Sequence, residues 1–338
     1  SPTRLIKSCE AKLRDHQVPG TRVVDRPTPG EKNPHGRILS RIWILRRATR
    51  HDRRIVAAVA SLASTLGSTP GKDPLIMGIV NVTPDSFSDG GRYFGSGDAL
   101  IHARKLVKQG AGVIDIGGES TRPGAVPVSV DQELDRVLPV VEALAADGVL
   151  VSIDTSKPQV MQEAVQAGAC LINDVFALRQ PGALEMAASL QANVILMHMQ
   201  GTPRTMQDQP SYKDVVMEIR NFLTQRIEAC HAAGLDRSRL LVDPGFGFGK
   251  TREHNCTLLG GLGQLAECGA PLVVGISRKS FVRALARSCE PEDVKEVSAL
   301  LALLAVERGA AIVRVHDVGL TKRFLDIRHD LKLFSPVH

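Results

Sequence analysis

Polar side chains that could bind a ligand follow each of eight short apolar segments in this sequence. They include Asn81, Glu119, Asp154, Asn173, His198, Asp243, Ser277 and Arg314. Carboxylates accept paired N–H groups in a bidentate manner, and an Asn side chain both donates and accepts. Asp154, Asn173 and Asp243 would therefore suit a planar, nitrogen-rich aminopyrimidinone ring. Each of them could equally cap the helix that follows it, and spacing alone does not separate the two interpretations.

A second group has the chemistry of an anion site. Arg314 and His316 lie two residues apart on an apolar segment, so on a strand both would point to the same side and donate to phosphate oxygens. Asn81 is followed by a loop rich in hydroxyls, carboxylates and glycine, which could complete a site for an anion or for Mg2+. An Arg-x-His pair is a weak signal by itself.

The glycine-rich segment Gly245–Thr251 is not a nucleotide-binding loop. It resembles a Walker A motif, but Pro244 stands where the first glycine of that motif belongs. Because it follows an apolar segment and an Asp-Pro turn, we interpret it as a mobile loop over a pocket. The sequence also contains no Ser/His/Asp nucleophile elbow, so it gives no sign of covalent catalysis.

The apolar segments and the stretches between them predict the fold. Strand-like segments fall at Leu75–Val80, Val113–Ile116, Val149–Ile153, Cys170–Ile172, Val194–Met197, Leu240–Val242, Leu272–Ile276 and Ala311–Val315. Helical patterns lie between most of them, including Ala99–Gln109, Asp131–Ala146, Lys157–Ala167, Tyr212–Ala233 and Val294–Arg308, and several end on glycine, as helices do before a turn. This alternation predicts an α/β fold, a (β/α)8 TIM barrel, with an open doubly wound sheet as the alternative. The barrel is favoured because polar residues sit at the carboxyl end of every strand, where barrels place their active sites.

The charge distribution separates a basic leader from the rest of the chain. Residues 1–72 hold 15 of the 42 Lys and Arg residues and only 5 of the 36 Asp and Glu residues. The remaining 266 residues carry a net charge of −4, so the predicted barrel, residues 73–338, gives no reason to expect a nucleic-acid partner. We predict that residues 1–72 form a basic, poorly ordered extension; a targeting segment or a polyanion-binding arm are the alternatives.

Cysteine spacing and hydropathy bear on the compartment. The six cysteines show no metal-ligand spacing and are expected to be reduced thiols of a cytoplasmic protein. The longest uncharged apolar segment near the start, Ile55–Leu66, has 12 residues and is too short to span a bilayer. No membrane partner is therefore expected.

Five long motifs, in order along the chain, resemble those of the dihydropteroate synthase family. They are Gly78–Gly91, Asp115–Gly124, Asp243–Lys250, Ser277–Ser280 and Ile312–Asp317. The resemblance extends from about Leu75 to the end of the chain, and residues 1–72 have no counterpart in it. It implies a pterin-binding barrel that joins 6-hydroxymethyl-7,8-dihydropterin diphosphate to 4-aminobenzoate, releasing 7,8-dihydropteroate and diphosphate.

The resemblance also implies roles for individual residues. The pterin ligands would be Asp154, Asn173, Asp243 and Lys279, with Met197 and Phe248 as apolar walls. The diphosphate ligands would be Asn81, Thr121, Arg314 and His316, with Asn81 also binding Mg2+. The aminobenzoate side would comprise Phe87, Thr121, Arg122, Pro123, Ser277 and Lys279. Asp154, Lys279, Arg314 and His316 would be the catalytic residues.

By the same resemblance, the reaction would be SN1-like and the protein a homodimer. Diphosphate would leave first, and carboxylates near the ring would stabilise the dihydropterin cation while loops exclude water. Two alternatives stay open: a pterin-dependent methyltransferase of the same fold, and a non-catalytic barrel whose leader binds polyanions. The methyltransferase would have little use for Asn81, Arg314 and His316 as a diphosphate site.

Overall fold

Eight parallel strands form a closed barrel in which each strand pairs with the next and β8 pairs with β1. The computed structural model describes residues 73–83, 96–120, 126–287 and 290–333. The strands are β1 Leu75–Asn81, β2 Val113–Gly117, β3 Leu150–Asp154, β4 Leu171–Asp174, β5 Asn193–Met197, β6 Leu240–Asp243, β7 Leu272–Val274 and β8 Ala310–Val315. The predicted (β/α)8 barrel is confirmed, and the open-sheet alternative is wrong because the pairing of β8 with β1 closes the sheet.

Helices follow the strands and surround the barrel. They are α1 Ser96–Lys108, α2 Val130–Ala146, α3 Pro158–Gln166, α4 Ala183–Ser189, α5 Val215–Ala232, α6 Arg252–Gly260, α7 Ser280–Ala286, α8 Pro291–Glu307 and α9 Val318–Leu333, with 3-10 turns at Arg237–Arg239 and Leu262–Cys268. The five predicted helices α1, α2, α3, α5 and α8 are present, with ends displaced by up to three residues.

Local sequence signals explain where these helices begin and end. Ser129 and Gln132 form a reciprocal capping box at the start of α2, which satisfies two backbone N–H groups that the helix itself cannot pair. The predicted glycines after α1, α2, α3, α5 and α8 all adopt positive φ, between 78° and 117°. Only glycine adopts this left-handed conformation freely, so these positions end the helices sharply before the next strand.

An apolar plug fills the lower part of the barrel interior. It consists of Met77, Val113, Leu171, Ile195, Leu241, Val273 and Ile312, all at most 2% exposed. Side chains alternate between the two faces of a strand, so the residue two positions further along each strand also points inward. The plug therefore forms a floor, and the polar residues above it line the mouth at the carboxyl end of the strands.

Several sequence predictions fall on residues that the structure does not describe. The whole leader, residues 1–72, lies outside the described residues, so its predicted disorder and the predicted domain boundary stay predictions. The four described cysteines, Cys170, Cys230, Cys256 and Cys268, are free thiols, as predicted. Across the described ranges, every helix is too short or too polar to cross a membrane.

Candidate active site

Five polar side chains from five strands meet directly above the apolar plug. The register of the sheet places Asp154 beside Gly117 on one side and Asn173 on the other. Asp115 lies two residues after the plug residue Val113, and Arg314 lies two residues after Ile312, so both point inward. The alternation of side chains along the strands therefore places five residues together on the inward face above the plug: Asp115, Asp154, Asn173, Asp243 and Arg314.

Arg314 is the hub of this cluster. Its Nε donates to Asp115 Oδ2 at 2.6 Å, and its terminal Nη2 donates to Asp154 Oδ2 at 2.7 Å. Asn173 Nδ2 donates to the same Asp115 oxygen at 3.1 Å. Asp115 is fully buried, and its other oxygen, Oδ1, has no hydrogen-bond partner among the described residues. Asp115 is a site residue that the sequence motifs do not single out, although its two-residue spacing from Val113 and Gly117 on β2 places it on the inward face.

The carboxylates of the cluster are held in a poor environment for negative charge. Burial raises the pKa of Asp154 from 3.8 to about 7, although the attraction of Arg314 works against the rise. Burial also raises the pKa of Asp243, whose Oδ1 accepts the Gly245 N–H at 2.7 Å. Burial alone would lower the pKa of Arg314, but the negative charges of Asp115 and Asp154 have the larger effect and raise it. A cationic or N–H-rich ligand would therefore be favoured between these carboxylates.

Lys279 lies opposite the carboxylates, against aromatic residues. Its Nζ donates to the carbonyl oxygen of Phe246 and sits 4.5 Å from the centre of the Phe248 ring, a cation–π distance. Burial lowers the pKa of Lys279 to about 8, with Asp243 opposing the change. A Cβ atom at Gly247 would lie 2.8 Å from Lys279 Cδ, and the φ of +76° there also favours glycine. Gly247 thus leaves the space through which the lysine reaches the site.

The glycine-rich segment is held in place by several side chains. Lys250, only 3% exposed, donates from Nζ to the carbonyl oxygens of Gly245 at 2.8 Å and Phe248 at 3.0 Å. The same Nζ lies 3.1 Å from His198 Nδ1. Asn255 accepts the Gly247 N–H at 2.8 Å. The segment predicted to be a mobile loop is therefore anchored in this structure, and the sequence pattern gave no sign of the inward-turned Lys250.

Arg314 and His316, the two predicted diphosphate ligands, have different hydrogen-bond partners. Arg314 is bonded to carboxylates, whereas His316 contacts Ser277: its backbone N–H donates to Ser277 Oγ at 3.2 Å and its Nδ1 lies 3.0 Å from the same oxygen. The cause is that His316 lies just beyond the end of β8, where it meets the segment that follows β7.

The remaining predicted residues are only partly described. Met197 is buried in an apolar group with Val175, Met199 and Met206, against which Phe248 packs. Asn81 ends β1 beside Gly117, where a Cβ atom would lie 3.5 Å from Asn81 Oδ1. The predicted residues Phe87, Thr121, Arg122 and Pro123 lie outside the described residues.

An open cavity of about 330 Å³ adjoins Asp154. Its lining includes Ser120, Thr155, Phe176 and Arg204, from the segments that follow β2 to β5. The cavity and the carboxylate cluster share the same end of the barrel, where this fold places its active sites. The site thus combines hydrogen-bond acceptors, buried cations and aromatic walls with room for a ligand.

The sequence and the fold are similar to those of known proteins. The family described as pterin-binding enzymes matches residues 77–316. The dihydropteroate synthase of Escherichia coli K12 is 50% identical over 246 residues, which is 72% of this chain and 87% of that protein. Dihydropteroate synthase of Xanthomonas albilineans, solved with 4-aminobenzoic acid, superposes with a TM-score of 0.74 at 49% identity, over 78% of this chain and 94% of that one. That of Yersinia pestis, in a sulfonamide drug complex, has a TM-score of 0.74 at 50% identity, over 77% and 95% of the two chains.

Proposed function

The chain belongs to the dihydropteroate synthase family of pterin-binding enzymes, and on that premise we propose how its described residues carry out the family reaction. The enzyme is a transferase of folate biosynthesis that joins 6-hydroxymethyl-7,8-dihydropterin diphosphate to 4-aminobenzoate. This confirms the function expected from the sequence motifs and sets aside the methyltransferase and non-catalytic alternatives for the barrel. The observation that supports our assignment of roles is the buried cluster of three carboxylates around Arg314 and Lys279.

The carboxylate cluster would bind the pterin ring. Asp154 and Asp243 accept N–H groups from the ring edge, and Asn173 supplies a mixed donor and acceptor. Lys279 donates to the ring carbonyl, while Met197 and Phe248 cover its faces. Asp115 would act through Arg314 and Asn173, both of which it holds in place.

The diphosphate would lie between Asn81 and the end of β8. Arg314 uses Nε and Nη2 on carboxylates, which leaves the N–H groups of Nη1 for an anion. His316 adds an imidazole that Ser277 orients. Thr121 is assigned to this group from the family motif.

Magnesium fits this site only with help from the substrate. Among the described residues, His, Cys, Asp and Glu nowhere form a group of three that could hold a metal. Asn81 offers one amide oxygen, and Mg2+ commonly completes its shell with substrate phosphate oxygens and water. We propose that Asn81 holds Mg2+ in this way; the ion would neutralise charge on the departing diphosphate.

The arrangement suits departure of diphosphate before attack by the amine. Arg314 and His316 stabilise the negative charge that develops on the leaving group. Asp154 and Asp243, close to the ring, stabilise the dihydropterin cation. The aminobenzoate nitrogen then forms the new C–N bond and gives its proton to the released diphosphate. Ser277 and Lys279, with Phe87, Thr121, Arg122 and Pro123 from the family motifs, would position the aminobenzoate and shield the cation from water.

The oligomeric state and compartment are two further proposals. The outer helices α8 and α9 expose Leu300, Ile327 and Leu331, which are 46%, 56% and 65% exposed. These side chains suit a homodimer interface, and light scattering on the purified chain would measure its mass. Free thiols fit a reducing compartment such as the cytoplasm.

Diphosphate release tests the proposal. The assay contains Mg2+, pterin diphosphate and 4-aminobenzoate, with the full chain and with a chain starting at Lys72. Release that requires aminobenzoate is expected from both, with equal rates, because the described site residues all belong to the barrel. Release without aminobenzoate dependence, or none at all, would contradict the assigned reaction. A loss confined to the shorter chain would make the leader part of the enzyme.

A further inference from the structure

The residue between Ser277 and Lys279 has an unusual backbone conformation. Arg278 has φ of +59°, in the left-handed region that residues with a side chain seldom adopt. Its two neighbours are both assigned to the substrate site. A single left-handed residue between them sets the directions in which Ser277 and Lys279 leave the backbone.

Three hydrogen bonds hold Arg278 in that conformation. Its Nε and Nη2 donate to the two oxygens of Asp317 at 2.9 and 2.5 Å, a bidentate pair. Its backbone N–H donates to Ser298 Oγ at 3.0 Å, and Ser298 in turn donates to the Val294 carbonyl at 2.6 Å. Asp317 follows β8 and Ser298 lies in α8, so Arg278 is hydrogen-bonded to two separate elements of the fold.

The guanidinium of Arg278 is occupied away from the carboxylate cluster. Its side chain is 42% exposed and is paired to Asp317, which is 16% exposed. The neighbours, by contrast, are engaged in the site: Ser277 contacts His316, and Lys279 reaches Phe246 and Phe248. The conformation of Arg278, and not its charge, therefore connects it to the substrate.

We propose that Arg278 is a positioning residue for the synthase reaction, and that Asp317 and Ser298 clamp its left-handed backbone so that Ser277 and Lys279 face the substrates. This inference rests on the proposed function. It predicts that removing the clamp is harmful only while residue 278 carries a side chain that disfavours positive φ. Glycine has no such preference and can keep the turn without the clamp.

Two substitutions at position 278 separate conformation from contact. Arg278→Ala loses the pair with Asp317 but keeps the backbone bond to Ser298 and the left-handed penalty, so KM for 4-aminobenzoate is expected to rise roughly five- to thirtyfold, with a smaller change in kcat. Arg278→Gly loses the same pair with Asp317 but carries no left-handed penalty, and KM is expected to stay within about threefold of wild type. If the guanidinium bound a substrate, both variants would fail equally, and the proposal would be overturned.

Asp317 and Ser298 provide an independent test on other elements. Asp317→Ala and Ser298→Ala should each raise KM for aminobenzoate, and adding Arg278→Gly to Asp317→Ala should restore it. If Asp317→Ala acted only by disturbing the adjacent His316, a glycine at position 278 would not restore KM. An Asp317→Ala defect that persists in the double variant would contradict the clamp.

Arg287 is the matched control. It is also an arginine with positive φ, +52°, but it ends α7 and is not adjacent to an assigned site residue. Arg287→Ala should leave both KM values unchanged, and urea unfolding of all variants separates loss of stability from loss of alignment. If the wild-type protein shows no synthase activity, the proposed function is wrong. If the wild type is active and Arg278→Ala has an unchanged KM for aminobenzoate, only the clamp is refuted.

Discussion

Replacing Asp154 by asparagine should stabilise the protein while it abolishes pterin binding. Asp154 is bonded to Arg314 and only 16% exposed, and its ionised form is disfavoured in the fold. Asparagine keeps an oxygen that can accept from Arg314 Nη2 but carries no charge. Arg314 would retain Asp115 as its counter-ion, so the change leaves no unpaired buried cation at Arg314.

The expected size follows from the pKa of Asp154. The rise of this pKa from 3.8 to about 7 means that ionisation of Asp154 disfavours the folded state, at about 1.4 kcal/mol for each tenfold change in the ionisation equilibrium. For a carboxyl with a raised pKa, this destabilisation begins near the unfolded pKa and is complete above the folded pKa. The upper limit is about 4 kcal/mol above pH 7, and because solvent and polar groups relax around the charge we expect roughly 1–2 kcal/mol.

Urea unfolding of wild type and Asp154→Asn between pH 4 and pH 8 measures the effect. The variant's advantage should be small at pH 4, grow as the pH rises, and level off above about pH 7. Isothermal titration with pterin diphosphate should show that binding is lost. A variant that is less stable at pH 8, or whose advantage does not change with pH, would refute the reasoning, because the ionised carboxylate would then be stabilising the fold.

Three further predictions concern the substrate side of the site. Lys279→Ala should lose pterin diphosphate binding, and unchanged turnover in the variant would overturn the role of Lys279. The affinity of the wild type for pterin diphosphate should fall as the pH rises through about 8, because the ammonium that binds the ring is deprotonated. Titration calorimetry across this pH range measures both effects. Lys250→Met removes the donor to the Gly245 and Phe248 carbonyls, so KM for the pterin diphosphate should rise while KM for aminobenzoate changes little. Equal changes in the two KM values would argue against a local effect. Sulfonamides should inhibit competitively with 4-aminobenzoate, and uncompetitive inhibition would contradict the assigned pocket.

The parts of the structure that could be predicted are those governed by short periodicities. The alternation of short apolar segments with helical patterns and the glycines after helices indicate a barrel without any knowledge of contacts, and the polar residue at each strand end identifies the active face. Asp154, Asn173 and Asp243 were singled out in this way. Asp115 was missed because it lies two residues before the end of β2, inside a segment that otherwise has the pattern of a buried strand, where only its parity with Gly117 marks it as inward-facing.

Other features depend on contacts between residues far apart in sequence. Whether Lys250 turns inward depends in part on His198, 52 residues earlier, and an exposed lysine would give the same local pattern. The left-handed conformation of Arg278 depends on Ser298 and Asp317, 20 and 39 residues away. No short window of sequence contains both partners, so local patterns cannot reveal such a clamp.

The charge arrangement of the site links its stability to its reaction. With all five groups ionised, the buried carboxylates of Asp115, Asp154 and Asp243 outnumber the cations of Arg314 and Lys279 by one charge within this described cluster. In the unliganded protein this excess is unfavourable, as the raised pKa values of Asp154 and Asp243 indicate. A dihydropterin cation would supply the missing positive charge, and it forms only as diphosphate leaves. The electrostatic mismatch is therefore relieved most at the step that the enzyme must accelerate, so the negative charge of Asp154 that destabilises the unliganded fold is also a charge that the reaction uses.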